Sequence, residues 1–288
     1  MSYTLSCEST VDMPFSAVAK RNISVLFYSY LLGEQEYEDI MGRDDAALEH
    51  FYRSIAQGIL PSTTQINTYK YIEYFEPLLE KGDIFHLTLS SGITSSYTNA
   101  VEAANQLMQK YPDRKIVIID SLCASSGFGL FVDNVADKRD EGYTIDQLKE
   151  YAEKTKQNVK HLFFSTDMTM FRRSGRVSGS AATIATVLNI CPVMKVTKLG
   201  KLEAFAKVRG NDKATEFVFN EMKKQVGTSY SKRCYISNSN CLPMAEALKE
   251  KVVAEFGCEV KIFDIGTTIA SHAGKGTVAF FFESEADR

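Results

Sequence analysis

Short apolar runs alternate with amphipathic segments along almost the whole chain. Residues 83–90 and 115–120 are continuous apolar runs, which are typical of parallel strands covered on both faces. Between them apolar residues recur at helical spacing over residues 101–111, and Pro112 ends that helix. The pattern predicts a strand, a helix and a second, parallel strand.

Several helix ends carry their own sequence signals. Asp44 or Asp45 can cap a helix that ends before Gly58, whose freedom to adopt positive φ suits a helix stop. Thr144 has a glutamine three residues later, the spacing of a capping box, and opens a predicted helix over residues 145–156.

A second α/β series follows residue 158. It predicts helices over residues 213–225 and 243–256 and strands over residues 161–166, 191–196, 202–208, 233–238, 259–265 and 277–282. The sequence therefore indicates two α/β halves, which we place at residues 1–158 and 159–288.

Composition narrows the class of protein. The 288 residues include 44% hydrophobic and 24% charged positions, enough for a large core, and the net charge is −3. A chain without basic excess is a poor partner for nucleic acid, and we expect at most transient contact with a membrane surface. The N-terminus lacks the features of a signal peptide, so we expect a cytoplasmic location. The six cysteines form no C-x-x-C pair, so we expect no metal site.

A loop rich in hydroxyl side chains lies between the strand at 83–90 and the following helix. A loop that enters a helix N-terminus offers backbone N–H groups and the positive end of the helix dipole. Ser91, Gly92, Thr94 and Ser95 are therefore a candidate cradle for an anion. Alternatively, these hydroxyls only cap the helix.

Two further segments could contribute to the same site. Residues 61–65, "PSTTQ", form a predicted loop carrying Thr63, although a hydroxyl there could equally cap the helix beginning near Asn67. His272 lies between small residues that allow close approach of a ligand, whereas a lone histidine is often structural.

A basic segment follows the strand at 161–166. Arg172, Arg173 and Arg176 lie within residues 171–179, "FRRSGRVSG", which we predict to form a glycine-broken turn. Guanidinium groups can hold an anion through forked hydrogen bonds. An exposed basic turn without a ligand is the alternative.

Known catalytic motifs do not account for these loops. No glycine stands two residues before Ser90 or Ser91, so the nucleophile elbow of serine hydrolases is missing, and the chain has no Walker A loop. The G-x-G-x-x-A match at residues 274–279 lies too near the C-terminus for a following βαβ unit. A hydrolase or phosphotransferase acting on a small phosphorylated substrate stays open as an alternative.

The order of the motifs resembles one family across nearly the whole chain. "CESTVDM", "PSTTQ", "LSSGITSSYTNA", "DSLCASSGFG", "FRRSGRVSG", "GKLEAFAKVRG" and "SHAGKG" occur in the succession typical of the DegV family of bacterial fatty-acid-binding proteins, the FakB-like carriers of the fatty acid kinase system. The resemblance implies two α/β domains, the first with a Rossmann-like, mostly parallel sheet, and a ligand at the domain junction.

The resemblance also implies roles for individual residues. The carboxylate of a fatty acid would be received by Thr63 and by the loop at Ser91, Gly92, Thr94 and Ser95. Its glycine-containing basic turn and its histidine loop would correspond to Arg173 and Arg176 and to His272, with Arg172 and Arg176 as weaker candidates for docking a partner.

This chain departs from the family pattern at several of these motifs. Glu8 stands where the family usually has aspartate, Ser95 and Ser96 replace a Gly-Thr pair, and Lys275 replaces a proline. These substitutions could change carboxylate geometry or acyl preference.

The function implied by the resemblance is that of a lipid carrier in phospholipid synthesis. Such a protein binds a long-chain fatty acid and presents it to a separate fatty acid kinase, which forms the acyl phosphate. We therefore expect no catalytic residue, no metal and no cofactor beyond the bound fatty acid.

Overall fold

The structure is a computed structural model that describes residues 3–177, 190–286 and 288. The strands are β1 (Tyr3–Glu8), β2 (Ser24–Leu26), β3 (Ser29–Leu32), β4 (Gln35–Glu38), β5 (Pro61–Thr64), β6 (Asp83–Thr88), β7 (Ile116–Asp120), β8 (Val159–Ser165), β9 (Ile190–Val196), β10 (Leu202–Arg209), β11 (Cys234–Asn238), β12 (Val260–Asp264) and β13 (Thr277–Glu283). The helices are α1 (Phe15–Lys20), α2 (Asp45–Ala56), α3 (Thr68–Leu79), α4 (Ser96–Lys110), α5 (Ser125–Asp140), α6 (Ile145–Thr155), α7 (Thr169–Ser174), α8 (Asn211–Val226), α9 (Leu242–Phe256) and α10 (Thr267–Ala273).

These strands form three sheets. The first is parallel throughout, in the order β2-β1-β6-β7. The second is a small antiparallel sheet, β4-β3-β5, and the third is a mixed six-stranded sheet, β10-β9-β8-β13-β11-β12. Two sheets flanked by helices confirm the predicted two-domain α/β fold.

The predicted unit around residues 83–120 is confirmed. Strands β6 and β7 are parallel neighbours, and every residue of β6 is buried, as its continuous apolar run requires. Helix α4 connects them and packs its buried face through Ala100, Ala104 and Leu107. The hydroxyl loop therefore leaves the carboxyl end of a central strand, where open α/β sheets place their ligands.

Both predicted helix starts are confirmed. The Asp44 carboxylate accepts a hydrogen bond from the backbone N–H of Ala46, at 2.9 Å, and α2 follows. Thr144 and Gln147 form the predicted capping box at the start of α6. In both cases the side chain satisfies an N–H group that lacks an intrahelical acceptor.

The second series is confirmed as well, with every predicted strand and helix after residue 158 present within two or three residues. All strands of the six-stranded sheet begin at or after β8, which starts at Val159. A domain boundary at residue 158 stays a prediction, because helix α5 packs against β8, β11 and β13 and joins the two halves in one core.

Three local predictions are wrong. Residues 61–64 are not a loop but the edge strand β5, which pairs with β3; β-branched Thr63 and Thr64 suit a strand, and a proline is tolerated at its first position. Arg172 and Arg173 lie in helix α7 rather than in a turn, which begins only at Gly175. His272 belongs to the last turn of α10, and the end of the basic motif, residues 178–179, lies outside the described residues.

Helix α5 is the centre of the molecule. Its residues from Ser125 to Ala136 are all buried. Gly127 and Gly129 allow other segments of the same chain to approach the helix closely. A β-carbon at Gly127 would lie 2.4 Å from the His161 ring, and one at Gly129 would lie 2.6 Å from the sulfur of Met13.

Among the described residues, we find no helix with the length and apolar character needed to cross a bilayer.

Candidate functional site

Four of the predicted site residues meet at one cavity between the two halves. Thr63 reaches it from β5, Thr94 and Ser95 from the loop before α4, and His272 from the last turn of α10. The cavity has a volume of about 210 Å³, several times the roughly 30 Å³ that a water molecule occupies. Residues from three separate segments thus line the same cavity.

The rest of the lining is largely apolar. Its members come from both halves: Leu89, Ile93, Ala124, Phe171, Leu202, Ile269 and Ala273. Tyr28, Thr64, Gln65, Arg176 and Thr268 complete the set among the described residues. The lining therefore combines hydroxyls and an imidazole with apolar side chains, which is the composition of a site for an amphipathic ligand.

Thr63 and His272 are directly hydrogen bonded. Thr63 Oγ1 lies 2.8 Å from His272 Nε2, whereas His272 Nδ1 is buried and has no partner among the described residues. Because a buried N–H without an acceptor is costly, the tautomer with its proton on Nε2 is favoured. Nε2 then donates to Thr63, and the hydroxyl hydrogen of Thr63 is left for a ligand.

The charge of His272 is fixed by its surroundings. Burial, and next the nearby positive charge of Arg176, lower the pKa of His272 to about 4. The imidazole is therefore neutral near pH 7 and acts through hydrogen bonds rather than through charge.

A chain of hydroxyl groups leads from the cavity into the core. Thr94 Oγ1 lies 3.1 Å from Ser96 Oγ, which lies 2.6 Å from the Tyr28 hydroxyl, and that hydroxyl lies 3.3 Å from Glu8 Oε2. Ser96 is the first residue of α4, and Tyr28 lies in the connection between β2 and β3. Thr94 is the member of this chain at the hydroxyl loop and lines the cavity.

Glu8 ends this chain and is fully buried, with 0% of its surface exposed. It accepts hydrogen bonds from the Tyr71 hydroxyl and, at 2.8 Å, from the backbone N–H of Leu89. His86 Nε2, also buried, lies 3.9 Å from Glu8 Oε1 and has no hydrogen-bond partner among the described residues. Hydrogen-bond donors from three segments thus hold the buried carboxyl group of Glu8.

Ser91 and Gly92 do not line the cavity, although both belong to the predicted cradle. Their N–H groups already donate to Asp120 Oδ1 and to Ser90 Oγ, and the N–H of Thr94 donates to the Ser90 carbonyl oxygen. The unpaired N–H groups expected at this helix start are therefore occupied within the protein at Ser91, Gly92 and Thr94.

Gly92 has a packing role instead. A β-carbon there would lie 2.5 Å from the carbonyl carbon of Gly200 and 2.5 Å from the carbonyl oxygen of Leu199, in the turn between β9 and β10. Ser90 Oγ also donates to the Gly200 carbonyl oxygen, at 2.9 Å. The turn from the second half therefore fixes the position of the hydroxyl loop.

The three arginines lie in different places. Arg176 lines the cavity near His272, whereas the Arg173 guanidinium donates to the Pro61 carbonyl oxygen at 3.2 Å and ties α7 to β5. Arg172 is exposed on α7. The residue predicted to dock a partner, Arg176, is thus closer to the cavity than Arg173, the residue predicted to bind the ligand.

Sequence reasoning missed Tyr28, Ser96 and Tyr71 as parts of the site. Ser96 carried a signal, since it belongs to the same hydroxyl-rich loop, and Glu8 carried one as an acidic residue at the end of a buried strand. Tyr28 and Tyr71 carried none, because their hydroxyls reach Glu8 only through the packing of separate segments.

A second, larger cavity of about 680 Å³ lies beside α2. Seven acidic residues line it, against the two basic residues Arg53 and Lys275: Asp12, Glu38, Asp39, Asp44, Asp45, Glu49 and Asp264. An anionic head group would be repelled there, so the smaller cavity suits a fatty acid better. Among the described residues, no group of histidine, cysteine and acidic side chains could hold a metal ion.

The fold and the cavity define a two-domain α/β protein with a cavity between its halves that polar and apolar side chains line together. Residues 5–285 match the family described as "Uncharacterised protein, DegV family". The chain belongs to the DegV family. It is 32% identical over 282 residues to the DegV domain-containing protein CPE0026 of Clostridium perfringens, and the match covers 97% of each chain.

Solved structures with the same fold include proteins described by their ligands. A DegV family protein from Thermus thermophilus, described as fatty acid binding, is 25% identical, with a TM-score of 0.87 over 99% of this chain and 100% of that one. The fatty acid kinase B3 protein of Streptococcus pneumoniae, loaded with linoleic acid, is 21% identical, with a TM-score of 0.86 over the same shares.

Proposed function

We propose that this protein binds one long-chain fatty acid in the cavity between its halves. The carboxyl group lies at Thr63, Thr94 and Ser95, and the acyl chain follows the apolar lining. The observation that carries the proposal is that Thr63, Thr94 and His272 line the same cavity as the apolar side chains of Leu89 and Ile269. Family members described as fatty acid binding support it.

The apolar wall supplies most of the affinity in this proposal. Burial of one methylene is worth about 0.8 kcal/mol, so each methylene that the apolar wall encloses adds to the affinity before the costs of association. Each hydrogen bond to the charged or polar head contributes about 1.5–3 kcal/mol. The hydroxyls therefore set the orientation and register of the ligand.

We further propose that the protein is a cytoplasmic carrier that presents the bound fatty acid to a separate fatty acid kinase. Arg172 and Arg176 are exposed near the cavity and offer positive charge to such a partner. Arg173 holds β5, and with it Thr63, in place. In this role the protein contributes no catalytic group and needs no cofactor.

The alternative is a hydrolase or phosphotransferase that uses the Thr63–His272 pair on a small phosphorylated substrate. A hydroxyl bonded to an imidazole, at 2.8 Å, has the spacing of a nucleophile and its base. In such pairs a third group orients the base, whereas His272 Nδ1 has no partner among the described residues. The carrier therefore fits the site better.

Native mass spectrometry of freshly purified protein tests the proposal. The expected result is one bound long-chain acid per chain, which organic extraction then identifies. Acyl phosphate should form only when a fatty acid kinase and ATP are added. An empty cavity combined with turnover of a phosphate ester by the protein alone would overturn the carrier assignment.

A further inference from the structure

The hydroxyl chain between the cavity and Glu8 has fewer hydrogens than it has hydrogen bonds to make. A head group at Thr94 would add one bond to the three bonds that join Thr94, Ser96, Tyr28 and Glu8. The three hydroxyls supply one hydrogen each. Four bonds therefore need a fourth hydrogen.

The missing hydrogen has a physical consequence when both ends of the chain are anionic. Tyr28 would then donate to Glu8, and Thr94 would donate to the ligand. The single hydrogen of Ser96 can fill only one of its two bonds, so a pair of oxygen lone pairs would face each other at 2.6 or 3.1 Å. A buried polar contact left unsatisfied in this way is costly.

We propose that Glu8 and the carboxyl group of the bound fatty acid share one proton through the chain Thr94–Ser96–Tyr28. The inference rests on the proposed function, since it takes the ligand head to lie at Thr94. One added proton supplies the fourth hydrogen and satisfies every bond of the chain. Glu8 is accordingly a positioning residue that sets how the head group is held.

The shared proton has two balanced arrangements. In the first, Glu8 is the anion: Tyr28 donates to Glu8, Ser96 to Tyr28, Thr94 to Ser96, and the neutral carboxyl group of the ligand to Thr94. In the second, each hydrogen has moved one step toward Glu8, which is now neutral, and Thr94 donates to a carboxylate. This arrangement gives the ligand the anionic oxygen that attack on a phosphoryl group requires.

The groups around both ends support a single shared proton. Burial raises the pKa of Tyr28 and of Tyr71 well above the usual value, so both phenols stay protonated and serve as donors. The other titratable groups near Glu8 are His86, Cys7 and Tyr74. At the cavity end the facing groups are His272 and the exposed Arg176.

The test is calorimetric binding of hexadecanoate to the full chain at pH 7 in two buffers of different ionisation enthalpy. Free hexadecanoate is ionised at this pH, so binding should take up about one proton per ligand. In Glu8→Gln the amide permanently donates the fourth hydrogen, and proton uptake should fall to about zero. No uptake by the natural protein, or equal uptake by Glu8→Gln, would overturn the inference.

Two further variants distinguish an effect on the hydroxyl chain from an effect on folding. Tyr28→Phe keeps Glu8 but interrupts the chain, and we expect it to abolish uptake as well. Tyr74→Phe removes a hydrogen bond to Ser24 that lies outside the chain, and it should leave uptake at about one proton. If Glu8→Gln does not fold, persistent uptake in Tyr28→Phe contradicts the inference by itself.

Failure of the proposed function looks different from failure of this inference. If hexadecanoate does not bind, native mass spectrometry shows no complex and the fatty acid proposal fails. If it binds at one per chain without proton uptake, only the inference fails. Protonation of His272 on binding would appear as uptake that survives in Glu8→Gln, which also counts against a shared proton.

Discussion

His272 Nε2 lies 2.8 Å from Thr63 Oγ1, although 209 residues separate the two in sequence. The bond joins an edge strand of the small antiparallel sheet to the last turn of α10 in the second half. It turns the Thr63 hydroxyl into a donor that points away from the imidazole, because Nε2 supplies the hydrogen between them.

Thr63→Val keeps the shape of the side chain and removes this donor. We expect fatty acid affinity to fall about 10-fold, since one hydrogen bond worth about 1.4 kcal/mol is lost. Titration calorimetry with hexadecanoate measures the change. Ser62→Ala, at the exposed neighbouring position of the same strand, is the matched control and should bind as the natural protein does.

The stability of the fold should fall on acidification, because His272 binds a proton more readily in the unfolded chain than in the folded one. Its pKa is about 4 in the folded chain and about 6.5 when unfolded, so between these values the unfolded chain binds more protons and stability rises with pH. From pH 7 to pH 5 this residue should cost about 1–2 kcal/mol. Urea unfolding at both pH values measures it.

His161 complicates this measurement, because burial lowers its pKa in the same direction. The comparison is therefore between the natural protein and His272→Gln at the two pH values. The variant should lose about 1–2 kcal/mol less on acidification. Equal losses would show that His272 already titrates near its ordinary pKa.

Gly92→Ala should disturb the hydroxyl loop. The added β-carbon would meet backbone atoms of Leu199 and Gly200 at 2.5 Å, and backbone cannot move aside as a flexible side chain can. We expect a loss of about 1–3 kcal/mol in the free energy of unfolding, together with weaker fatty acid binding. Ser91→Ala, one residue earlier and exposed, should leave both values unchanged; a neutral Gly92→Ala would refute the packing role.

Filling the smaller cavity should exclude the ligand. Ala273 is buried in its lining, and Ala273→Leu adds three carbon atoms to a space of about 210 Å³. Native mass spectrometry should show at least 10-fold less bound fatty acid. Ala56→Leu makes the same change beside the acidic cavity of about 680 Å³ and should retain the lipid. The opposite result would place the fatty acid in the acidic cavity.

Arg172→Glu should separate presentation from binding. The residue is exposed on α7 and does not line the cavity, so the variant should retain its fatty acid. Acyl phosphate formation by a fatty acid kinase should fall about 10-fold if the positive charge contributes to docking. Lys213→Glu makes the same change of charge on α8 and serves as the control; equal rates for both variants would remove Arg172 from the docking surface.

Much of the fold could be predicted because local signals were strong. The buried run of β6, the capping box at Thr144 and the acidic cap at Asp44 each act through neighbouring residues, and each was found from the sequence. The sheet β4-β3-β5 was missed, since β4 is mostly exposed and its strands are only four residues long. Such strands carry little periodic signal.

The residues that line the cavity could be predicted in part from the sequence, whereas the buried residues behind them could not. Thr63, Thr94 and His272 belong to motifs that the sequence displays, and the structure places them at one cavity. The direction of the N–H groups near Ser91 depends on Asp120, which packing brings from β7. Tyr28 meets Glu8 only after separate segments have packed, so no local pattern predicts that contact.

The contact between the hydroxyl loop and the turn at Leu199 and Gly200 also bears on how hybrid proteins could be made. Because Gly92 and Ser90 contact that turn, exchange of one half with that of a relative would preserve the proposed head-group site only if loop and turn came from the same parent. The loop and the turn would therefore have to be exchanged together, although more than 100 residues lie between Ser90 and Gly200 in the sequence.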